Sequence, residues 1–484
     1  MSDTKVVTRF APSPTGFMHI GGVRTALFAY LFARKHAGTF ILRIEDTDKA
    51  REVTGSIAHI QKALTWIGID WDYGPEKPGP FGSCIQSDRL ESYKTYAKML
   101  IEKGLAYPDP YTKEEVDAFR AKAEAEKRPF LFRNHRPETF EVWDDTKPLR
   151  LKAPFIKRYT WQDAVRGELT AGEEMVDDII LIKADGYPTY NFAHIIDDLT
   201  MGVTHIMRGE EFISSMPKFL SIYDALEIPY PVFVTMPAIL NDERTKKLGK
   251  RDGAKDILTY DEEGYLPQTM MNFLALIGWN PGTEQEILSK EELIQLFSIE
   301  KIQKSGGAFN DEKLDWMNKE YLAKLSPEAF IDYIQPTFSG FYGNSKNYSV
   351  QLLTKLAPIV KERIHTKAEL KAEIEAGEYD FFFNTPEPDA SLLTWKKDET
   401  AIQALPRLQM AHTLLKDADF SSAESVKNAL WSYAEEVGRG ELLWPLRVAL
   451  TGKERSPDPF ISAFVLGKEE SLARIKNACA KISG

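Results

Sequence analysis

The stretch that decides the fold of this chain reads Arg9-Phe-Ala-Pro-Ser-Pro-Thr-Gly16-Phe-Met-His19-Ile-Gly21-Gly22. Residues 6–10 are predicted to form a β-strand, and the apolar spacing of residues 23–36 predicts a helix. A strand that passes through a Pro- and Gly-rich turn into a helix presents backbone N–H groups and the positive end of the helix dipole at one point. The stretch therefore predicts a phosphate-binding turn, to which His19 adds a donor.

A basic segment much later in the chain complements this turn: Lys246-Lys247-Leu248-Gly249-Lys250-Arg251. Fixed cations stabilise the charge that develops on transferring phosphates. Taken alone, a His-X-Gly turn is usually structural and a Lys/Arg run is usually a solvated face. The functional interpretation depends on finding both motifs in one chain.

These motifs resemble those of the class I aminoacyl-tRNA synthetases. The sequence from His19 to Gly22 is similar to the HIGH signature and that from Lys247 to Arg251 to the KMSKS signature, with Gly22 and Gly249 in place of a histidine and a serine. The opening Arg-Phe-Ala-Pro-Ser-Pro-Thr-Gly and the later Arg43-Ile-Glu-Asp-Thr-Asp48 resemble the glutamyl/glutaminyl branch. The resemblance covers almost the whole chain.

The resemblance implies an ATP-dependent ligase that joins glutamate to tRNA through a glutamyl-adenylate. It assigns catalysis to His19, Lys247 and Lys250. It implies that ATP, with Mg²⁺, is bound by Gly16, His19, Gly21, Gly22, Lys247, Lys250 and Arg251.

Bulk composition sets limits on the class of protein. The chain has 484 residues and a formal net charge of −11, so several domains are expected and non-specific polyanion binding is disfavoured. Cys84 and Cys479 are the only cysteines, which rules out a disulfide framework and a cysteine-rich zinc cluster. No apolar run approaches a membrane span and no leader-like segment opens the sequence. We therefore expect a cytoplasmic chain that does not bind membranes.

The fold is predicted as a Rossmann-like α/β domain with a parallel sheet, an α+β insertion, and all-α C-terminal domains. Strands alternate with helices in residues 1–84, and ligands of such sheets lie at the carboxyl ends of the strands. The resemblance implies a catalytic domain at 1–84 and 186–241, an acceptor-end-binding insertion at 85–185 and a helical stem-contact domain at 242–325. It also implies that residues 326–484 form an all-helical anticodon-binding region of two subdomains.

The insertion departs from many relatives at one point. Those relatives open a zinc site with a Cys-X-Cys pair, whereas Asp109 and Tyr111 stand at these positions here. We therefore predict no zinc, no metal bound by protein side chains, and a turn role for Asp109.

Glutamate carries two carboxylates and one ammonium group, and the family segments offer partners for each. Bidentate pairing suits Arg9 and Arg208, and a carboxylate such as Glu45 can hold the ammonium. The full predicted set is Arg9, Ser13, Glu45, Tyr190, His194 and Arg208. The alternative for His194 is a structural role, as a hydrogen-bonded histidine in the wall of the pocket. Asp197 and Asp198 are expected to support a helix or turn rather than bind metal. A buried Arg9 facing the substrate side chain favours a carboxylate over an amide, since the amide leaves the charge unpaired.

The C-terminal half distinguishes the glutamyl enzymes from the glutaminyl enzymes of this branch. Residues 351–374 and 423–437 have helical patterns, and the segment ending in Thr451-Gly452 resembles the helical anticodon-binding cage of bacterial glutamyl enzymes. Glutaminyl enzymes end in β-barrels, for which no run of short strands is found. Arg363 and Arg447 are candidate RNA contacts, with packing roles as equal alternatives.

The sequence alone leaves several alternative functions to be weighed. The chain is expected to charge tRNA(Glu) as a monomer, and charging of tRNA(Gln) with glutamate is left undecided. A shortened relative that glutamylates a tRNA base is disfavoured by the long helical region. A catalytically silent RNA-binding protein is disfavoured by the intact motifs.

Overall fold

The computed structural model describes residues 5–249 and 255–483. The chain divides into two compact units, residues 1–317 and 318–484. The finer boundaries expected from the sequence, at 84/85, 185/186, 241/242 and 325/326, stay predictions. Lys250 and Arg251 lie outside the described residues.

The first unit is built on parallel strands. The strand β1 (Val7–Phe10) pairs in parallel with β2 (Thr39–Leu42). The strand β8 (His205–Gly209) pairs in parallel with β9 (Val232–Met236). The Thr204 N–H donates to Val7 O at 2.9 Å, which brings β8 beside β1. All four carboxyl ends therefore meet at one edge, as the Rossmann-like prediction requires.

Helices cover this sheet and extend the unit beyond it. The helix α1 is buried along most of its length because Ala, Leu, Phe and Val fill every face. The helices of the first unit are α1 (Ile20–Lys35), α2 (Ser56–Trp66), α3 (Leu90–Glu102), α4 (Lys113–Ala125), α5 (Tyr190–Thr200), α6 (Met216–Leu226), α7 (Ile257–Glu263), α8 (Pro267–Leu276) and α9 (Lys290–Leu296). The next helix, α10 (Asp311–Ala323), includes the boundary between residues 317 and 318.

The insertion has a small antiparallel sheet of its own and also extends the sheet that contains β8 and β9, which is called the main sheet. The strand β4 (Leu149–Leu151) lies between β3 (Ala106–Pro108) and β7 (Ile180–Ile182). The hairpin of β5 (Tyr159–Asp163) and β6 (Gly167–Ala171) joins the main sheet, where β5 pairs in parallel with β9. Sequence reading gave these strands to the insertion alone, because pairing with a strand 70 residues later leaves no local pattern. Two short strands, β10 (Ile239–Leu240) and β11 (Gly307–Ala308), pair in parallel farther along.

The second unit is helical. No strand occurs in residues 318–483, in line with the helical prediction. Its helices are α11 (Pro327–Tyr342), α12 (Val350–Arg363), α13 (Lys367–Glu375), α14 (Asp380–Phe383), α15 (Leu405–Lys416), α16 (Ala423–Val437), α17 (Arg439–Thr451), α18 (Pro459–Leu466) and α19 (Lys468–Ser483). The pattern over 351–374 forms two helices because Thr366 caps a new one, its side chain accepting the Glu369 N–H.

The predicted fold class is confirmed: a parallel-sheet α/β unit with an α+β insertion precedes an all-helical unit. Among the described residues, no helix is both long and apolar enough to span a membrane.

Candidate active site

A cavity of about 400 Å³ opens where β1 gives way to α1. It contains six of the residues predicted from the sequence, namely Ser13, Gly16, His19, Gly22, Glu45 and Tyr190. The remaining walls come from Phe10, Ala11, Pro12, Thr15, Phe17, Met18, Ile60, Glu211 and Phe212. The first predicted motif and the glutamate-binding segments thus border one space.

His19 begins the helix that forms the floor of this cavity. It is the N-cap of α1 and its Nδ1 accepts the Gly21 N–H at 3.2 Å. A Cβ on Gly21 would lie 3.2 Å from the His19 ring, so a glycine keeps this cap free of crowding. The Gly22 and Val23 N–H groups donate to His19 O at 3.0 and 3.2 Å, and His19, at the positive end of the helix dipole, borders the cavity, where this end attracts anions.

The turn over the cavity is fixed by the chain that follows β2. The Glu45 N–H donates to Pro12 O at 3.0 Å and the Val53 N–H donates to Pro14 O at 2.9 Å. The Ser56 hydroxyl donates to Gly16 O at 2.7 Å. Backbone carbonyls of the turn therefore face into the protein, and its other side is presented to the cavity.

Buried charges lie behind the cavity. Arg9 Nε is 3.0 Å from Asp198 Oδ1, and Arg43 bridges Asp198 at 2.6 Å and Glu45 at 2.9 Å. Burial raises the pKa of Glu45, with Arg43 opposing the shift. Burial acts against ionisation of Asp198 too, but Arg43 and Arg9 hold its pKa well below the usual range.

Arg9, which was predicted to pair with the substrate side chain, already has partners within the protein. Two of its nitrogens already face Asp198, and Nη1 is 3.4 Å from Met207 O. Asp197 accepts from Gln86, Arg89 and Tyr93. Both acidic residues therefore hold buried arginines, whereas the sequence analysis expected them to support a helix or turn.

Arg208 is the exception among the buried arginines. It lies at the end of β8, only 7% exposed, with no carboxylate as ion-pair partner among residues 5–249 and 255–483. Its Nη2 lies 2.9 Å from the Met216 sulfur, its Nη1 has no partner, and its guanidinium stands 4.8 Å from the centre of the Phe219 ring. Burial lowers the pKa of Arg208. A desolvated cation left in this state binds a carboxylate well, since the protein has already met its desolvation cost.

The helix α5 aligns three polar residues at intervals of four. Tyr190 and His194 stack with ring centroids 4.7 Å apart, and Asp198 follows on the same face. His194 Nδ1 is 2.8 Å from Tyr190 O, so this nitrogen carries the proton and Nε2, which has no partner, is an acceptor. Burial lowers the pKa of His194 to about 3 and raises that of Tyr190 to about 12.

Lys247 reaches the cavity through an acidic neighbour. Its Nζ is 3.2 Å from Glu211 Oε2, and Glu211 lines the cavity. Both side chains are more than half exposed, so the pair is easily exchanged for another anion. Gly249 is described but shows no contact that tests its role, and the assignments of Lys250 and Arg251 lie outside the described residues.

The two candidate RNA contacts lie in the second unit. Arg363 is 3.2 Å from Glu373 and 3.3 Å from Glu378, which favours the packing alternative for this residue. Arg447 is half-buried, its Nη1 is 3.5 Å from Glu454 O, and its Nε has no partner. Arg447 therefore keeps more capacity for an RNA acceptor than Arg363 does.

The insertion holds an ion pair where relatives were expected to open a zinc site. Asp109 Oδ1 accepts the Tyr111 N–H at 3.0 Å, which is the predicted turn, and Oδ2 lies 2.7 Å from Arg150 Nε. The Arg150 guanidinium also lies 3.3 Å from the centre of the Phe132 ring. Within residues 5–249 and 255–483, no group of three His, Cys, Asp or Glu side chains is placed to hold a metal.

Sequence reading gave no role to several residues that shape the site. Arg43 was quoted only within a motif, yet it joins Glu45 to Asp198. Glu211 was quoted without a role, although it is the partner of Lys247. Its position just after β8 was a usable signal, because carboxyl ends of parallel strands line ligand sites.

Comparison with known proteins identifies the family. The model for the catalytic domain of class I tRNA synthetases (E and Q) matches residues 5–316, and an anticodon-binding domain matches residues 320–479. A glutamate–tRNA ligase of Clostridium tetani is 38% identical over 494 residues, covering 100% of this chain and 99% of the relative. One from Clostridium acetobutylicum is 39% identical and covers 100% of both chains.

The chain belongs to the glutamate–tRNA ligase family of class I tRNA synthetases.

Solved structures agree with this assignment. A glutamate tRNA ligase from Elizabethkingia meningosepticum, crystallised with its amino acid, superposes with a TM-score of 0.87 at 35% identity, covering 99% of this chain and 100% of that one. A glutamate–tRNA synthetase from Elizabethkingia anophelis gives a TM-score of 0.85 at 36% identity, with 98% and 100% covered. The family resemblance seen in the sequence motifs is therefore confirmed, including its glutamyl rather than glutaminyl branch.

Proposed function

We propose that the cavity binds glutamate and ATP side by side and forms glutamyl-adenylate, from which glutamate passes to tRNA. The observation that carries this proposal is Arg208, a buried guanidinium without a carboxylate partner among the described residues. Arg9, Arg43 and Arg89 pair with three buried carboxylates, on Glu45, Asp197 and Asp198, and Arg208 is a fourth buried cation beside them. An acidic amino acid supplies the missing negative charge, whereas a neutral one does not.

Each charged group of glutamate has a partner in this scheme. The side-chain carboxylate pairs with Arg208, helped by Arg9, whose Nη1 makes only a long contact of 3.4 Å with Met207 O. The α-ammonium binds Glu45, whose Oε1 faces Arg43 while its carboxylate borders the cavity. Ser13 and the Tyr190 hydroxyl donate hydrogen bonds, and His194 completes the wall behind Tyr190.

ATP binds at the start of α1. Gly16, His19, Gly21 and Gly22 surround the phosphates, because a helix N-terminus favours anions. Lys247 leaves Glu211 for the phosphates, and Lys250 and Arg251 add positive charge. Mg²⁺ is expected to arrive on the phosphates of ATP, since it usually keeps waters and phosphate ligands rather than an all-protein site. When bound, it neutralises charge on the phosphate oxygens.

The reaction follows from this placement. The glutamate α-carboxylate attacks the α-phosphorus of ATP, a bond forms between its oxygen and phosphorus, and pyrophosphate leaves. No general base is needed, because the nucleophile is already ionised. Holding the two substrates in line supplies a large share of the barrier reduction, on the order of 7–11 kcal/mol at best. A hydroxyl of the terminal ribose of tRNA then attacks the acyl carbon and AMP leaves.

The decisive assay offers tRNA(Glu) and tRNA(Gln) separately, each with ATP and labelled glutamate or glutamine. Charging of glutamate onto tRNA(Glu) alone supports a discriminating enzyme, and charging of both tRNAs supports a non-discriminating one. Binding of both tRNAs without charging would overturn the catalytic proposal. As a control, the variants Lys247→Ala and Lys250→Ala should lose charging while tRNA binding changes little.

A further inference from the structure

His59 lies on α2, outside every motif that suggested the function. Its side chain is 13% exposed and touches three groups at the rim of the cavity. The Met18 N–H donates to His59 Nδ1 at 3.4 Å, and His59 Nε2 lies 2.8 Å from Asp256 Oδ2. The ring also packs on Phe17, with centroids 4.6 Å apart.

One polar partner of His59 belongs to the His19 turn, and the other, Asp256, lies five residues after the end of the Lys247–Arg251 segment. Met18 directly precedes His19, and its carbonyl accepts the Ile257 N–H at 3.0 Å. His19 and Asp256 form an antiparallel β-bridge, and Asp256 Oδ1 accepts the Leu258 N–H at 3.0 Å to cap α7. Asp256 and Ile257, which follow the Lys247–Arg251 segment in the sequence, therefore lie alongside the turn that carries His19.

The contacts fix the protonation of the His59 ring. A backbone N–H can only donate, so Nδ1 is an acceptor and the proton of the neutral ring is on Nε2, facing Asp256. The Nε2–Asp256 contact is close but poorly aligned for a hydrogen bond, so its attraction is mainly electrostatic. One ring thus holds a backbone donor on one side and a carboxylate on the other.

We propose that His59 is a positioning residue for ATP, which sets the spacing between the His19 turn and the segment that begins at Asp256. The inference rests on the proposed function, because it assumes that ATP binds between these two segments. Glu45 and Arg208, the partners proposed for glutamate, do not contact His59. Loss of His59 should therefore affect the use of ATP and leave the affinity for glutamate unchanged.

Two conservative variants separate the two contacts. His59→Asn places an acceptor near the position of Nδ1 and abandons Asp256, whereas His59→Gln places a donor near the position of Nε2 and abandons Met18. Each variant is expected to raise the KM for ATP by roughly 3- to 10-fold, the range for one lost polar contact. The KM for glutamate should stay within about twofold of the wild-type value, within the scatter of such effects. Lys62→Ala, an exposed change on the same helix, is the matched control and should alter neither KM.

A double-mutant cycle tests whether His59 acts through Asp256. Asp256→Asn removes the charge but retains the side-chain acceptor that caps α7. The loss in kcat/KM for ATP in His59→Ala with Asp256→Asn should be smaller than the product of the two single losses. Multiplicative losses, or equal rises in the KM for ATP and for glutamate, would overturn the inference. A wild-type protein that charges no tRNA would instead overturn the proposed function.

Discussion

Arg208 and Arg9 show how two buried arginines in one cluster differ in what they offer a ligand. Arg9 faces Asp198 with two nitrogens, so most of its charge is already compensated. Arg208 has aromatic rings and a sulfur around it, and these neighbours stabilise a cation only weakly compared with a carboxylate. We therefore expect the preference for an acidic substrate to depend more on Arg208 than on Arg9.

Arg208→Gln should raise the KM for glutamate by roughly 10- to 100-fold, since a charged hydrogen-bond donor is lost from a buried site. Steady-state charging at saturating ATP and tRNA measures this effect. Arg120→Gln, an exposed change on α4, is the control and should leave the KM for glutamate unaltered. An unchanged KM in Arg208→Gln would contradict the assignment of Arg208.

His194 makes a second residue-scale prediction, about pH. Its pKa is held at about 3 by burial, against about 6.5 in an unfolded chain. Between these pH values the unfolded chain binds a proton that the folded chain does not, so stability falls as the pH drops below about 6.5. In His194→Asn, which can still donate to Tyr190 O, the loss of stability between pH 7 and pH 5 should shrink by roughly 1–2 kcal/mol.

Thermal unfolding at a series of pH values measures the change, as a smaller fall in Tm for the variant. His205 also has a lowered pKa, of about 4, so some pH dependence should remain. Gln409→Ala, an exposed change on α15 that removes no titratable group, is the control and should keep the wild-type profile. A steeper fall of Tm in His194→Asn would show that the ring is not neutral in the folded chain.

At the scale of elements, a corner formed around Arg24 connects the helix α1 to the chain segment that leads toward Lys247. Arg24 on α1 donates to Ile277 O at 3.0 Å and to Pro237 O. Burial lowers the pKa of Arg24 to about 10, so it stays charged at neutral pH. Two carbonyls with partial negative charge therefore hold a buried cation, and α1, α8 and the residues before β10 are joined at one point.

Gly278 completes this corner and gives the next prediction. Its φ is +85°, and a Cβ would lie 3.1 Å from Pro237 Cγ and 3.3 Å from Arg24 Nη1. Gly104 has a φ of +66° with nothing within 4 Å of a Cβ, so it carries the backbone strain without the crowding. Gly104→Ala should cost about 1 kcal/mol and Gly278→Ala clearly more, roughly 2–4 kcal/mol. Denaturant unfolding compares the two variants, and equal losses would contradict the crowding argument.

The insertion supplies a prediction about metal. Asp109 and Arg150 form a buried ion pair against the Phe132 ring, which provides a cross-link of the kind that a bound metal would otherwise provide. Overnight treatment with a chelator, followed by restored Mg²⁺, should leave the charging rate within experimental error. Arg150→Met should lower the Tm, because it leaves the Asp109 carboxylate buried and unpaired. Loss of activity that zinc alone restores would refute this interpretation.

The parts of the structure that could be predicted from the sequence are those that depend on a local sequence pattern. The strand β1 and the helix α16 depend on neighbouring residues, and the sequence analysis located both to within one residue. The hairpin of β5 and β6, the Asp198 bridge between two arginines and the Arg24 corner join segments that are far apart in the chain. No periodicity marks such contacts, so they become visible only in the folded structure.

At the scale of the whole molecule, the net charge of −11 raises the question of how an acidic chain binds tRNA. Only the contacting surface has to be basic, and binding there releases counterions from the phosphates. The second unit carries the match to an anticodon-binding domain, and several of its cations, Arg363 among them, already face carboxylates. Few phosphate contacts are therefore expected, and recognition should depend on a small number of well-placed cations.

Salt dependence measures that number. With two to four phosphate contacts, the KM for tRNA(Glu) should rise by roughly 10- to 100-fold between 50 and 200 mM KCl. The KM for glutamate should rise far less over the same range, because Arg208 is buried and salt screens buried charges weakly. Arg447→Gln should lower the slope of log KM against log salt by about one contact, whereas Arg363→Gln, with its two carboxylates, should leave the slope unchanged. A flat salt response would mean that tRNA is held chiefly by uncharged contacts, and a lower slope in Arg363→Gln alone would reverse the assignment of the two arginines.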